Sequence, residues 1–341
     1  MESTAMEAMS EEERAAIQKV AELHDTAAGG GPLIATLAKV PVLLDTDIGS
    51  DIDDAVALAY LLKQPQCELL GITTVSGEPE KRASLADAVC QAAGRSGIPV
   101  HVGTGKPLLV AQRQPEASQF EALKASYLHR LFEPNHTAVE FLRRMIRARP
   151  NEITLLTIGP LTNIALLFAT DPEIPTMLKQ LVMMGGRYFP SSPDGANGEW
   201  NILCDPHAAA IVFEAPVPKL IAVGLDVTEQ CTMSAEECRE RFIKAGGPLL
   251  SVAAMAEVWF RHTQQITFHD PLAAALIFEP QLCGLLSTRI DVELCQPGKL
   301  GDTLLREDST LSGHQVARGV DPQAFFDHYF SIVGMGNTET A

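Results

Sequence analysis

The chain contains no run approaching the roughly 20 uninterrupted apolar residues of a membrane-spanning helix. Its first residues, 1–14, are Glu-rich and unlike a signal or transit peptide. Its seven cysteines, at 67, 90, 204, 231, 238, 283 and 295, show no C-x-x-C spacing, and at 341 residues the chain has no need of a disulfide framework. They read as reduced and mostly packed, which points to a cytoplasmic location. Basic residues are scarce: 26 Lys and Arg stand against 43 Asp and Glu, a formal net charge of -17. That balance argues against nucleic acid or an anionic membrane surface as a partner, since both call for basic patches. No internal repeat is found.

Apolar residues are abundant: a 46% hydrophobic content over this length supports a large core. Strand-like segments at 42–44, 68–75, 99–102, 153–158, 181–184 and 219–223 alternate with helical ones at 54–62, 80–93, 138–149, 161–169 and 207–213. This βα rhythm predicts an α/β fold, a single Rossmann-like domain with a mostly parallel central sheet flanked by helices. The expected domain spans 34–334. An N-terminal helical extension, 1–33, precedes it, with a helix at 11–28 broken by Gly29-Gly30-Gly31-Pro32; a disordered tail, 335–341, follows. Ser234 with Glu237 forms a capping-box signature, a helix is expected at 249–265, and a final helix at 322–329.

Five aspartates crowd the end of the first apolar run: Asp45, Asp47, Asp51, Asp53 and Asp54. Residues 48–50 read as a Gly-containing turn, which places Asp53 and Asp54 in the first turn of a helix, where the macrodipole favours negative charge. An over-charged, solvated helix start would account for some of this, but Asp45 directly continues a buried strand. Carboxylates converging on one strand-to-helix turn repel one another unless a cation sits between them, and a hard divalent ion with oxygen ligands suits them.

Ligands of parallel sheets bind beyond the carboxyl ends of the strands. The acidic turn lies there, as do the polar or glycine-bearing strand ends at 73–78, 157–160 and 183–187. The stretch 186–204, with Pro190, Pro193, Gly195 and Gly198, is too long for a mere connection. His269-Asp270-Pro271 in isolation reads as an Asp cap followed by Pro in the first helical turn. Asn163, His136 and His262 default to surface or capping roles, and the cysteines with Met183 and Met184 to the core.

In order along the chain stand Asp45-Thr46-Asp47-Ile48-Gly49 with Asp53-Asp54-Ala55, Ile72-Thr73-Thr74-Val75, Gly159-Pro160-Leu161-Thr162-Asn163, Met184-Gly185-Gly186, Glu199-Trp200-Asn201 with Asp205-Pro206, and His269-Asp270-Pro271. Taken together they resemble the landmarks of the inosine-uridine preferring nucleoside hydrolases. The resemblance covers roughly 40–290 and leaves out the first 33 residues.

It implies hydrolysis of the N-glycosidic bond of a ribonucleoside, or a related N-riboside, to free base and ribose. It also implies one Ca²⁺ per chain and a homodimer or homotetramer. The implied metal ligands are Asp47, Asp54, Asp270 and the backbone carbonyl of Ile158, with Asp47 also taking a proton from the Ca²⁺-activated water. Asp53 is the implied ribose ligand, with Glu78, Asn197, Glu199 and Asn201 completing the sugar site. His269 is the candidate acid beside the leaving base, and Tyr188, Phe189 and Trp200 are possible stacking partners. The chemistry is coherent by itself: a divalent ion acidifies water, a neighbouring carboxylate completes its deprotonation, and further carboxylates stabilise the oxocarbenium-like transition state.

Two positions depart from the family pattern. Ile48 replaces a proline, with Ser50-Asp51-Ile52 lengthening the turn, and Glu78 replaces an asparagine. Two rival readings remain at this stage: a haloacid dehalogenase-type Asp-x-Asp phosphatase, although Gly49 stands where that motif needs Thr or Val, and a non-catalytic nucleoside- or ribose-binding homologue.

Overall fold

The computed structural model describes residues 38–123, 128–189, 198–306 and 313–335. The expected helix at 11–28, Asn197 and the last six residues lie outside them. The described residues from Lys39 onward form one compact unit.

Strand β1 (Val40–Thr46) is buried from its second residue to its last, as a near-continuous apolar run requires when both faces of a parallel sheet are covered. Its neighbours are β2 (Cys67–Thr74), which carries the edge strand β3 (Val100–Val102), and, on the other side, β4 (Thr154–Thr157). Beyond β4 lie β5 (Gln180–Met184) and β6 (Leu220–Val223). A ribbon, β7 (Thr232–Ser234) with β8 (Gln265–Thr267), stands apart from the sheet. The C-terminal region adds β9 (Cys283–Ser287), a second ribbon of β10 (Arg289–Val292) with β11 (Thr303–Arg306), and β12 (His314–Val320).

The eight-stranded sheet runs β3-β2-β1-β4-β5-β6-β12-β9, parallel throughout except at the β12–β9 edge. The chain therefore leaves β1 toward β2 and β3, then returns to β1's other side. That reversal opens a crevice at β1's carboxyl end, the place where such sheets bind ligands.

Alternate β1 residues feed the two layers. Val42 and Leu44 pack with helices Asp53–Lys63, Pro79–Ala92, Pro248–Trp259, His269–Leu276 and Pro322–Val333, whereas Leu43 packs with Ala138–Ala148, Thr162–Thr170 and Pro206–Glu214. The predicted capping box forms, with Ser234 Oγ accepting from the Glu237 N–H at 3.2 Å. The helix expected at 249–265 instead ends at Trp259. The chain turns so that Gln265–Thr267 can pair with β7 and Phe268 can enter an aromatic cluster with Phe325, Phe326 and Tyr329. Among the described residues no helix is long and apolar enough to cross a membrane.

Candidate active site

A cavity of about 540 Å³ lies at the reversal point, lined by Asp47, Asp51, Asp53, Asp54, Glu199, Trp200, Asn201, Trp259, His269 and Asp270 among others. Helix Asp53–Lys63 begins with its two aspartates, as the sequence predicts. Helix His269–Leu276 packs against it and brings Asp270 across the fold, where the Asp270 N–H donates to Asp53 Oδ2 at 3.1 Å.

Asp45 lies behind the cavity, completely buried, accepting from the Thr73 hydroxyl and, at 2.8 Å, from Asn163 Nδ2. Burial pushes its carboxyl up to about 7, against these two hydrogen bonds. Asn163, expected in a surface or capping role, is instead a buried hub: it also donates to the Thr74 carbonyl at 3.0 Å and accepts from the Thr104 N–H at 3.0 Å.

Asp53, Asp54 and Asp270 each offer a carboxylate oxygen within 4.8 Å of the others. All three are buried, and burial together with their neighbours' negative charge holds them well above the usual carboxylate range. Asp47 is raised chiefly by burial, and Asp51 is pushed up to about 6 for the same reason. An all-oxygen donor set under mutual repulsion fits a hard divalent cation, whose charge would reverse each of these shifts. Asp53, implied as a ribose ligand, thus lies within the tight acidic group, while Asp47 lines the cavity beside it. The Ile158 carbonyl accepts from Asn201 Nδ2 at 3.1 Å and keeps a second lone pair.

Glu199 caps the short helix Trp200–Cys204 by accepting from the N–H groups of Asn201 at 2.8 Å and Ile202 at 3.1 Å, and it also holds the Gly186 N–H at 3.1 Å. Burial pushes it up to about 7 despite these donors. The Asn201 amide donates to the strand-end carbonyls of Ile158 and, at 3.3 Å, Met184, so the loop is tied to both β4 and β5 ends. His269 Nδ1 lies 2.7 Å from Thr228 Oγ1, and desolvation lowers the ring's pKa to about 4. The imidazole is therefore neutral near pH 7.

Glu78 is placed elsewhere. Its backbone is left-handed (φ 55°), and its carboxylate accepts from Lys81 at 2.5 Å and from the Ala117 N–H at 3.0 Å, away from the cavity wall. Of the three aromatic candidates only Trp200 lines the cavity. Tyr188 is buried with its hydroxyl on the Gly185 carbonyl at 2.8 Å, and Trp259 joins the wall unanticipated. Asp205 is likewise structural, accepting from the Leu108 N–H, the Thr162 hydroxyl and the Ala208 N–H.

Besides Trp259, sequence reasoning missed two polar residues. Arg82 has no exposed surface, and its guanidinium donates to the carbonyls of Asp47, Gly77 (2.7 Å), Ile48 (3.2 Å) and Glu116 (3.2 Å). It is a buried cation beneath the acidic turn. Its signal was a positive charge in the first turn of helix Pro79–Ala92, where the macrodipole disfavours one. The other is Gln114, whose Nε2 donates to Asp47 Oδ2 at 2.6 Å. It lies in a long connection after β3 that carries no motif.

The inosine-uridine preferring nucleoside hydrolase profile matches residues 42–327. The pyrimidine-specific ribonucleoside hydrolase RihA of Citrobacter koseri is 32% identical over 307 residues, 84% of this chain and 96% of its own. An uncharacterized Schizosaccharomyces pombe protein, C1683.06c, is 32% identical over 265 residues, 74% of this chain and 84% of its own. The solved purine-preferring ribonucleoside hydrolase of Gardnerella vaginalis superposes with a TM-score of 0.76 at 25% identity, covering 86% of this chain and 98% of that one. A match over most of the length, on a fold whose acidic crevice lies at the sheet's reversal point, decides the matter: the chain belongs to the inosine-uridine preferring nucleoside hydrolase family and is a hydrolase of the ribonucleoside N-glycosidic bond.

Proposed function

We propose that this enzyme uses Asp47 as its base and one Ca²⁺ held by Asp54, Asp270 and Asp47, with the Ile158 carbonyl, to split a ribonucleoside into free base and ribose. The single observation that carries the reading is the convergence of Asp47, Asp53, Asp54 and Asp270 from opposite ends of the chain on one buried cavity. When bound, the ion supplies a positive charge that acidifies and orients water. Asp47 takes the water's proton as the new C1′–O bond forms and the C1′–N bond breaks. Asp53 accepts hydrogen bonds from the ribose hydroxyls, and Glu199 and Asn201 close the sugar side. The carboxylates around the ring stabilise the cationic character that develops at C1′. Neutral His269 offers the departing base a hydrogen bond rather than a full proton, and Trp200 offers an aromatic face. Among the described residues lining the cavity there is no Lys of the kind the Asp-x-Asp phosphatase reading needs, which favours the ribonucleoside.

RihA is named for pyrimidines and the Gardnerella enzyme for purines, so the test is a panel of both. Reducing-sugar release should appear with Ca²⁺, vanish with a chelator, and return on adding the ion back. Folded protein that releases nothing from any ribonucleoside in the presence of Ca²⁺ would overturn the substrate assignment; release untouched by chelation would overturn the metal.

A further inference from the structure

Gln114 lies in the connection that follows β3, and the structure fastens that connection on both sides of it. Upstream, the Gly103 N–H donates to the Thr74 carbonyl at 3.0 Å. Downstream, the Glu116 carbonyl accepts from Arg82 at 3.2 Å and from the Ser50 hydroxyl at 3.1 Å. Between them the packing is close: a Cβ on Gly77 would stand 2.3 Å from the Pro115 carbonyl oxygen. Gln114 thus reaches the cavity from a held backbone, with 7% of its surface exposed.

The side chain is bonded at both ends. Nε2 donates to Asp47 Oδ2 at 2.6 Å, and Oε1 accepts the Trp200 indole N–H at 2.5 Å. An indole N–H only donates and an ionised carboxylate only accepts, so the two partners dictate the amide's orientation. Trp200 is 49% exposed and also lines the cavity. A chain of hydrogen bonds therefore runs from a solvent-facing ring through Gln114 to Asp47.

We propose that Gln114 is a positioning residue for the hydrolysis: its carboxamide orients Asp47 for proton transfer, and Trp200 holds the carboxamide in place. The proposal rests on the reading of Asp47 as the base. As an ion ligand Asp47 is held through one oxygen, and without a donor on Oδ2 the other keeps freedom about the terminal torsion; a misplacement of about 1 Å costs on the order of a hundredfold in rate. Substrate seated against Trp200 thereby acts on the base without touching it.

Gln114→Met keeps the length and loses both hydrogen bonds; Gln114→Glu keeps the acceptor for Trp200 but turns an oxygen toward Asp47; Trp200→Phe keeps a ring and loses the donor. In enzyme saturated with Ca²⁺ both Gln114 variants should lower kcat about tenfold or more, with KM and melting temperature little changed, while titration calorimetry should show Ca²⁺ affinity altered in Gln114→Glu, whose added carboxylate faces Asp47. Trp200→Phe should lower kcat less, and Gln114→Met/Trp200→Phe should be no slower than Gln114→Met alone, because the indole acts through the amide. In a Trp259→Phe background Trp200 is the only remaining indole of two, and Gln114→Met should shift its fluorescence. An unchanged kcat in both Gln114 variants, a rise confined to KM, strictly multiplicative effects in the double variant, or unaltered Trp200 emission would each overturn the proposal. Asp47→Asn is the separate control: an active Asp47→Asn enzyme removes the base assignment itself, whereas an inactive one beside a fully active Gln114→Met removes only the positioning role.

Discussion

Arg82 shows how one side chain sets the conditions for a whole acidic turn. It has no exposed surface, and burial lowers its pKa from the ordinary arginine value while Asp47 and Asp54 pull the other way. Four main-chain carbonyls spend their hydrogen-bonding capacity on it. Arg82→Met should therefore destabilise the fold by about 3 kcal/mol or more, since it strands buried acceptors and removes the cation beneath the carboxylates. Urea unfolding of the metal-free protein measures this, and a loss under about 1 kcal/mol would show that the turn holds itself. The aspartates themselves were legible because carboxylates that continue an apolar strand cannot be explained by solvation. Arg82 and Gln114 were not, because their partners lie 35 and 67 residues away and neither sits in a patterned motif. Asn163, although it ends a motif, was misjudged because its burial depends on distant segments that meet only in the fold.

At the scale of elements, the βα alternation was readable almost throughout, since buried parallel strands are short apolar runs and the covering helices are periodic. The failure at 249–265 has a tertiary cause, since pairing with β7 and the anchoring of Phe268 outweigh local helix propensity. Glu78 shows the same limit. Its place after the second strand suggested a ribose contact, but its left-handed backbone turns the carboxylate to the connection after β3, where it holds the Ala117 N–H. Glu78→Gln retains an acceptor for that N–H and should leave KM for ribonucleosides within about twofold, far short of the roughly 1–3 kcal/mol lost when a substrate's hydrogen-bonding partner is removed. Steady-state kinetics decides, and a rise of about tenfold in KM without loss of stability would return Glu78 to the sugar site.

For the whole molecule, the site's carboxylates tie folding to pH and to the ion. In the metal-free fold Asp45 and Glu199 are pushed up to about 7 and Asp51 to about 6, while burial and mutual repulsion hold Asp53, Asp54 and Asp270 well above the ordinary carboxylate value. The unfolded chain releases these protons near the ordinary values of 3.8 for Asp and 4.5 for Glu. Between those values and the folded ones the native state binds more protons than the unfolded state, so stability falls as pH rises. Asp171 works in the opposite sense, its carboxyl lowered by the hydrogen bond from Arg147. Its contribution is lost only as pH falls below the ordinary carboxylate value, outside this window. Four histidines oppose the carboxylates inside it: His269, lowered by burial to about 4, and His101, His314 and His328, lowered by the same cause, take up protons more readily in the unfolded chain and so add stability as pH rises toward 6.5. The raised carboxylates outnumber them, so the net slope keeps the carboxylates' sign. Chelated protein should accordingly melt at a lower temperature at pH 7 than at pH 5. Under the proposed Ca²⁺ reading the ion would bind the native, ionised carboxylates, so its stabilisation should grow as they deprotonate and flatten or reverse that slope. Melting curves at pH 5, 6, 7 and 8, with chelator and with Ca²⁺, test both halves. A chelated protein that gains stability from pH 5 to 7 would mean that the buried histidines outweigh the acidic cluster, and identical curves with and without Ca²⁺ would mean that the ion does not bind there.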